Sequence, residues 1–348
     1  MRHIGTCASI CAAILASLFV AAAAKADSVE DFYRGKTITM LIGTDESGTA
    51  IENLPHVLGP VMRKYMPGNP TFIVSHMPGA GGIKAANYIY SVAPQDGTYM
   101  GFITRGFILA PLLKIPSAAF DPTKYNWIGS PARSVSTGVV WTAGTAVRSI
   151  EDATKEQVIV GATSMGQDTG VFPTMLNRFV GTKFKIVPGY PSTGDIDLAM
   201  GRGEAQGKIG VTWTALNSGS TADWVKDKKV AVIVQFSLAK SPDIPADVPL
   251  VLDFAKNRAD RQAMEVIVAP TATGYPSFVG PGVTPERVAA IRTAYEKALQ
   301  DPEFLAAMQR ENIKIDMIGA DEITKVVKDI YALPPEAVER ASTLIPHT

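Results

Sequence analysis

Three glycines within four positions, in Met77-Pro78-Gly79-Ala80-Gly81-Gly82, are the residues whose spacing points most directly to chemistry. Their bare backbone lets N–H groups turn toward a ligand, and a helix starting just after them adds a partial positive charge suited to an anion. A plain strand-to-helix turn needs the same residues for its dihedral angles, and on this run alone the two readings weigh equally. Further uncharged donors are spread along the chain: the backbone of Gly48 and Thr49, the hydroxyls of Ser47, Thr49, Ser164, Thr169, Tyr190 and Ser192, and three helix starts. Such a set can hold carboxylates by hydrogen bonds without a formal countercharge. Arg105 adds charge or forms a surface or interdomain salt bridge. Trp213 walls a pocket or fills a core.

Other chemistries fit poorly. A dinucleotide fingerprint fails because Lys84 stands at its third small position, and the strand ending at Thr104 is followed by Arg105 rather than by an acid for a ribose. No glycine-lysine-serine/threonine triplet forms a phosphate loop. Three histidines follow the leader, His56, His76 and His347, with no i,i+4 pair, so no metal site and no cofactor is expected. Ser164 lacks the flanking glycines of a nucleophile elbow. An exported hydrolase or isomerase using Ser164 or Glu52 with His76 stays as the rival reading.

The elements that must position these residues begin after a leader. Arg2 and His3 precede an apolar run from Ile4 to Ala24 that ends in Ala24-Lys25-Ala26, which predicts export with a cut after Ala26. Both cysteines, Cys7 and Cys11, lie in that leader, so the mature chain has no disulfide and no thiolate chemistry. The cut removes Arg2 and Lys25 and no acid, so 33 basic residues become 31 against 33 acidic, and nothing suggests nucleic acid. Of the 348 residues, the mature part exceeds what one core usually holds, so two domains are expected.

Within the mature chain, Thr37 to Ile42 reads as a buried strand, followed by the loop Thr44-Asp45-Glu46-Ser47-Gly48-Thr49 and a helix through Leu54, Leu58, Val61 and Tyr65, kinked or broken at Pro60. Strand Thr71 to Ser75, the glycine loop, helix Ile83 to Val92 and strand Tyr99 to Thr104 follow. Val158 to Ala162 leads into Thr163-Ser164-Met165-Gly166-Gln167-Asp168-Thr169-Gly170 and a helix. Phe184 to Val187 leads into Pro188-Gly189-Tyr190-Pro191-Ser192-Thr193 and another. Repeated strand-loop-helix units predict parallel sheets flanked by helices, with polar loops gathered at the carboxyl ends of the strands. Ala205 to Val211 and Val230 to Phe236 supply further strands. Leu250 to Ala255, Ile323 to Tyr331 and the segments opening at Pro285 and Pro302 read as helices.

Several of these stretches resemble a known family. Asp31 to Ile38, Pro67-Gly68-Asn69-Pro70-Thr71, Met77 to Gly82, Ala86-Asn87-Tyr88, Ala93-Pro94-Gln95-Asp96-Gly97-Thr98 and Leu198 to Glu204 are similar, in order, to the substrate-binding proteins of tripartite tricarboxylate transporters, the Bug family. The resemblance implies a type II periplasmic binding protein: two doubly wound α/β domains joined by two crossing segments, with the ligand in the cleft between them. We place one domain in residues 27–131 with 237–348 and the other in 132–236. Carried over by position, the ligand loops are Ser47 to Glu52, Pro78 to Gly82 (Pro78, Gly79, Ala80, Gly81, Gly82), Ser164 to Thr169 with Met165 and Gly166, and Tyr190 to Ser192. The first loop departs from the family, being poor in proline and glycine. Glu52 stands for the usual aspartate, and Asp45 and Glu46 either face solvent or signal a ligand other than an ordinary dicarboxylate. The implied protein is a periplasmic, monomeric, non-catalytic binder of a small organic acid that delivers it to a membrane permease. A ligand-loaded sensor docking to a receptor is the other outcome the fold allows.

Overall fold

The computed structural model describes residues 28–44 and 54–344. The leader and its cut therefore lie outside the described residues. β1 (Thr37–Ile42), β2 (Thr71–His76), β3 (Tyr99–Phe102) and β4 (Asn126–Ser130) lie in one sheet, β1, β3 and β4 largely buried as expected of inner strands, joined late in the chain by two more strands. A second sheet is built from β5 (Ser136–Trp141), β6 (Gln157–Ala162), β7 (Lys183–Pro188), β8 (Gly207–Thr212) and β9 (Val230–Phe236). The chain then returns to the first sheet through β10 (Ser277–Val279) and β11 (Ile318–Gly319). The first sheet runs β11-β4-β10-β3-β1-β2 and the second β7-β6-β8-β5-β9. Two stretches of chain, 131–135 and 237–276, connect the sheets. The result is two α/β layers with a cleft between them.

Both sheets are mixed, whereas the repeated strand-loop-helix order predicts parallel ones. β2, β1 and β3 are parallel, as are β7, β6 and β8. However, β10 runs antiparallel to β3 and β4, and β5 runs antiparallel to β8 and β9. The parallel part of each sheet is the part joined by helical crossovers, and the antiparallel strands enter where the chain changes sheets. The carboxyl ends of β2 and β6 carry the Met77–Gly82 and Thr163–Gly170 loops.

The helix Leu54–Tyr65 runs through Pro60 without a break. Leu58, Gly59, Val61 and Met62 on either side of the proline are all buried, and Gly59 lies tight against Phe72 and Met40. That packing offsets the hydrogen bond the proline cannot donate. The segment predicted as a helix from Leu250 is a single turn, Val251–Phe254, while the lead after Ser28 forms a short helix, Val29–Tyr33, whose Asp31 N–H donates to the Ser28 hydroxyl.

Under the first sheet, an aromatic cluster joins Phe107, Tyr125, Trp127 and Phe278, with Phe107 stacked on Phe278 at 5.2 Å between ring centres. Gly101 makes room for it, since a Cβ there would meet the Phe278 ring at 2.6 Å. Through Phe107 the cluster anchors the turn Arg105–Leu109 after β3 in the core, and that turn carries Arg105.

Candidate ligand cleft

Four successive residues of the glycine loop have positive φ: Gly79 at 142°, Ala80 at 48°, Gly81 at 65° and Gly82 at 91°. A side chain on Gly82 would strike Ile103 at 2.4 Å, so this glycine serves the close approach of the loop to the end of β3. The Gly82 N–H is spent inside the loop on the Gly79 carbonyl, at 3.1 Å. The bend thus uses part of the donor set that the sequence offered to a ligand. Gly81 differs: it lines the cleft and faces Gln167 of the opposite layer, whose Cγ would lie 3.3 Å from a Cβ placed there.

A cavity of about 110 Å³ opens between the two layers. From the first sheet come Gly81, Thr104, Arg105 and Gly106; from the second come Gly166, Gln167, Asp168, Thr169, Thr193, Gly210 and Thr212; Gly274 and Tyr275 arrive from the returning connection. Among the described residues Arg105 is its single cationic lining residue and Asp168 its single anionic one. Arg105 is only 4% exposed. Its Nη2 donates to Ser136 Oγ at 2.6 Å and to Asp168 Oδ2 at 3.1 Å, and its Nη1 lies 3.5 Å from the carbonyls of Ser134 and Gly274. Its Nε is buried without a hydrogen-bond partner among the described residues. Of the two sequence readings of Arg105, the salt bridge between domains is therefore realised, and the residue lines the cavity as well.

Asp168 opens the helix Asp168–Met175, where a carboxylate suits the unpaired N–H groups. Its approach depends on β8. Thr137 pairs with Val211 and Gly138 with Ile209, which leaves Gly210 as the extra residue of a bulge with φ 91°. A Cβ at Gly210 would fall 2.6 Å from the Asp168 carbonyl, so only glycine lets the helix start seat there. The loop before the helix is closed by hydroxyls. Thr163 N–H donates to Thr169 Oγ1 at 3.1 Å, the two threonine hydroxyls are 2.9 Å apart, and Thr163 Oγ1 donates to Gln167 at 3.0 Å.

Two-domain architectures of this shape recur among solved structures. The periplasmic binding protein BugD matches with a TM-score of 0.65 at 18% identity, over 90% of this chain and 99% of that one. The fold is that of a periplasmic binding protein. A Rhodopseudomonas palustris protein with bound malate, MatC, matches at 0.62 and 16% identity over 88% of this chain and 99% of its own, and an R. palustris protein with adipate at 0.64 and 16% over 89% and 98%. No family model matches the sequence, and no curated protein matches it.

The structure brings together part of the predicted site. Gly81, Arg105, Gly166 and Thr169 line the cavity. Pro78, Gly79 and Ala80 are exposed on the loop ahead of it, Gly82 is buried beneath it, and Met165 is half-buried beside Gly166. Ser164 gives its carbonyl to the close packing of Gly170. Ser192 caps the helix Thr193–Gly201 in a reciprocal pair with Asp195, its hydroxyl donating to Oδ2 at 2.7 Å, while its neighbour Thr193 reaches the cavity. Tyr190 and Trp213 pack on the small core around Ile196, Met200 and Val211, and Trp213 also borders a separate groove with Pro242 and Ile244. Ser47, Gly48, Thr49 and Glu52, with Asp45 and Glu46, lie outside the described residues. His76 bonds the Thr44 carbonyl at 2.9 Å through Nδ1 and stacks on His56, an arrangement that fixes the end of β2. Among the described residues no cluster of metal-ligating side chains occurs, and no helix is long and apolar enough to cross a membrane.

Asp168, Gly210, Gly274 and Tyr275 were not singled out from sequence. An acid before a helix reads as a dipole partner, and Tyr275 is remote in the chain from everything it adjoins. The one local signal was Gly210, which interrupts an otherwise β-branched and apolar strand, Ile209 to Thr212, as bulge glycines do.

Proposed function

We propose that this protein is an exported solute-binding protein of the tripartite tricarboxylate (Bug) type, which captures a small organic acid in the interdomain cleft and delivers it to a membrane permease without turnover. The observation that carries this reading is the buried Arg105 in a cavity between two α/β layers, with an Nε that has no partner among the described residues, hydroxyls on both walls and a helix start opposite. Donors fixed before the ligand arrives lose little freedom on binding, so recognition is fast and reversible. The malate and adipate in the two similar proteins support a carboxylate ligand. We further propose domains of 27–131 with 237–348 and of 132–236, a cut after Ala26, a periplasmic location and a monomer. The lost or retained roles of Pro78 to Gly82, Ser164 to Thr169, Tyr190, Ser192, Trp213 and the Ser47 to Glu52 loop belong to the same proposal.

Thermal shift of the purified mature protein against mono-, di- and tricarboxylates and amino acids tests it. A ligand present at a hundredfold its Kd stabilises the folded state by about 2.7 kcal/mol, well above the detection limit. Absence of any shift across the panel overturns the reading.

A further inference from the structure

The charge balance of the cleft points to a narrower ligand class, and this inference rests on the solute-binding reading. Arg105 does not wait as a free cation: Asp168 already neutralises it across the cleft at 3.1 Å, with Ser136 Oγ 2.6 Å from the same Nη2. The remaining lining is glycine, threonine, tyrosine, glutamine and small apolar residues. A dianion entering this wall would bring two negative charges to a site where, among the described residues, the one positive charge is already matched, inside a partly desolvated cavity where an unpaired charge is costly. A molecule carrying one carboxylate and one ammonium adds no net charge. Its carboxylate meets the Arg105 guanidinium, which lines the cavity, and its ammonium takes the Asp168 carboxylate.

The wall continues into a mostly apolar annex of about 30 Å³ that shares Gly81, Arg105, Gly106, Gly166 and Asp168 with the cavity and is further lined by Phe107, Leu109, Leu113, Val171, Phe172 and Ile267, with Thr271 as a polar member. Its size is roughly that of two water-sized volumes, suited to a branched aliphatic group. We infer that Arg105 and Asp168 together select a small zwitterion, an α-amino acid with a branched aliphatic side chain, against dicarboxylates, with Asp168 as the specificity-determining residue.

Isothermal titration of the mature protein with leucine and valine, with their des-amino counterparts 4-methylpentanoate and 3-methylbutanoate, and with succinate and adipate tests the inference. The expected result is an affinity for the amino acids at least tenfold above both other groups. In Asp168→Asn that advantage over the des-amino acids disappears and the dicarboxylates gain at least threefold. If the asparagine variant does not fold, the wild-type series decides alone. Preference of the wild type for dicarboxylates or des-amino acids overturns the charge selection and leaves the organic-acid reading standing. Silence toward every acid and amino acid overturns both.

Discussion

The hydroxyl of Tyr275 donates to Thr212 Oγ1 at 2.7 Å, which ties the approach to β10 in one layer to the end of β8 in the other. Thr212 also caps the helix Trp213–Leu216 by accepting from the Ala215 N–H. Tyr275→Phe removes one interlayer hydrogen bond worth about 1 kcal/mol. The expected outcome is a melting midpoint lower by about 2–3 °C, read by circular dichroism. An unchanged midpoint would mean the bond contributes nothing.

Gly210 is the bulge residue beneath the start of the Asp168 helix. Gly210→Ala adds left-handed strain of about 1–3 kcal/mol to a contact with backbone that has little room to retreat. We expect a loss of at least about 2 kcal/mol in urea unfolding, together with weaker ligand binding because Asp168 is pushed from Arg105. Full stability in the alanine variant would refute the packing argument.

Gly81 faces Gln167 across the cleft with φ 65°. A leucine there wedges the layers apart at the mouth while leaving both cores intact. Binding of any cleft ligand should fall at least a hundredfold in titration, with the far-ultraviolet spectrum unchanged. Retained affinity would remove the glycine loop from the site.

Asp301 links two helices through acid-sensitive bonds. It accepts from the Tyr65 hydroxyl at 2.7 Å and the Glu303 N–H at 2.8 Å, with Lys64 Nζ at 3.3 Å. The tyrosine bond first, and then its other donors, hold its carboxyl below the ordinary value against the opposing effect of burial. Its folded pKa lies below its unfolded one, so its contribution is complete above the unfolded value of about 3.9 and is lost as pH falls through the folded one. Urea midpoints of the wild type and Asp301→Asn should differ at pH 7 and converge toward pH 3. A gap that stays constant with pH would assign the effect to packing.

Local chemistry made the glycine loop, the positions of most strands and most helix starts legible, because turn, cap and periodic residues act over a few positions. Glycine permits positive φ without steric cost, and Gly79, Gly81 and Gly82 all adopt it. Strand direction is different: nothing local in Ser277–Val279 says that it runs antiparallel to β3, since that depends on how 237–276 returns to the first sheet. Pro60 does not break its helix for the converse reason, as its neighbours Leu58, Gly59, Val61 and Met62 are buried on both sides of it. The site's charge pair was hidden because Arg105 and Asp168 are 63 positions apart and each has an ordinary local role.

Arg105 Nη1 sits 3.5 Å from the carbonyls of Ser134 and Gly274, one in each stretch of chain that joins the sheets. A group held by both connections lies near the axis about which the layers would rotate, where displacement per degree is smallest. Were the layers to turn about that axis, a ligand's charged head at Arg105 would keep nearly the same contacts, whereas Gly81 and Gln167, which face each other across the cleft, would move apart. Capture and shutting would then be separable events, with Arg105 as the fulcrum.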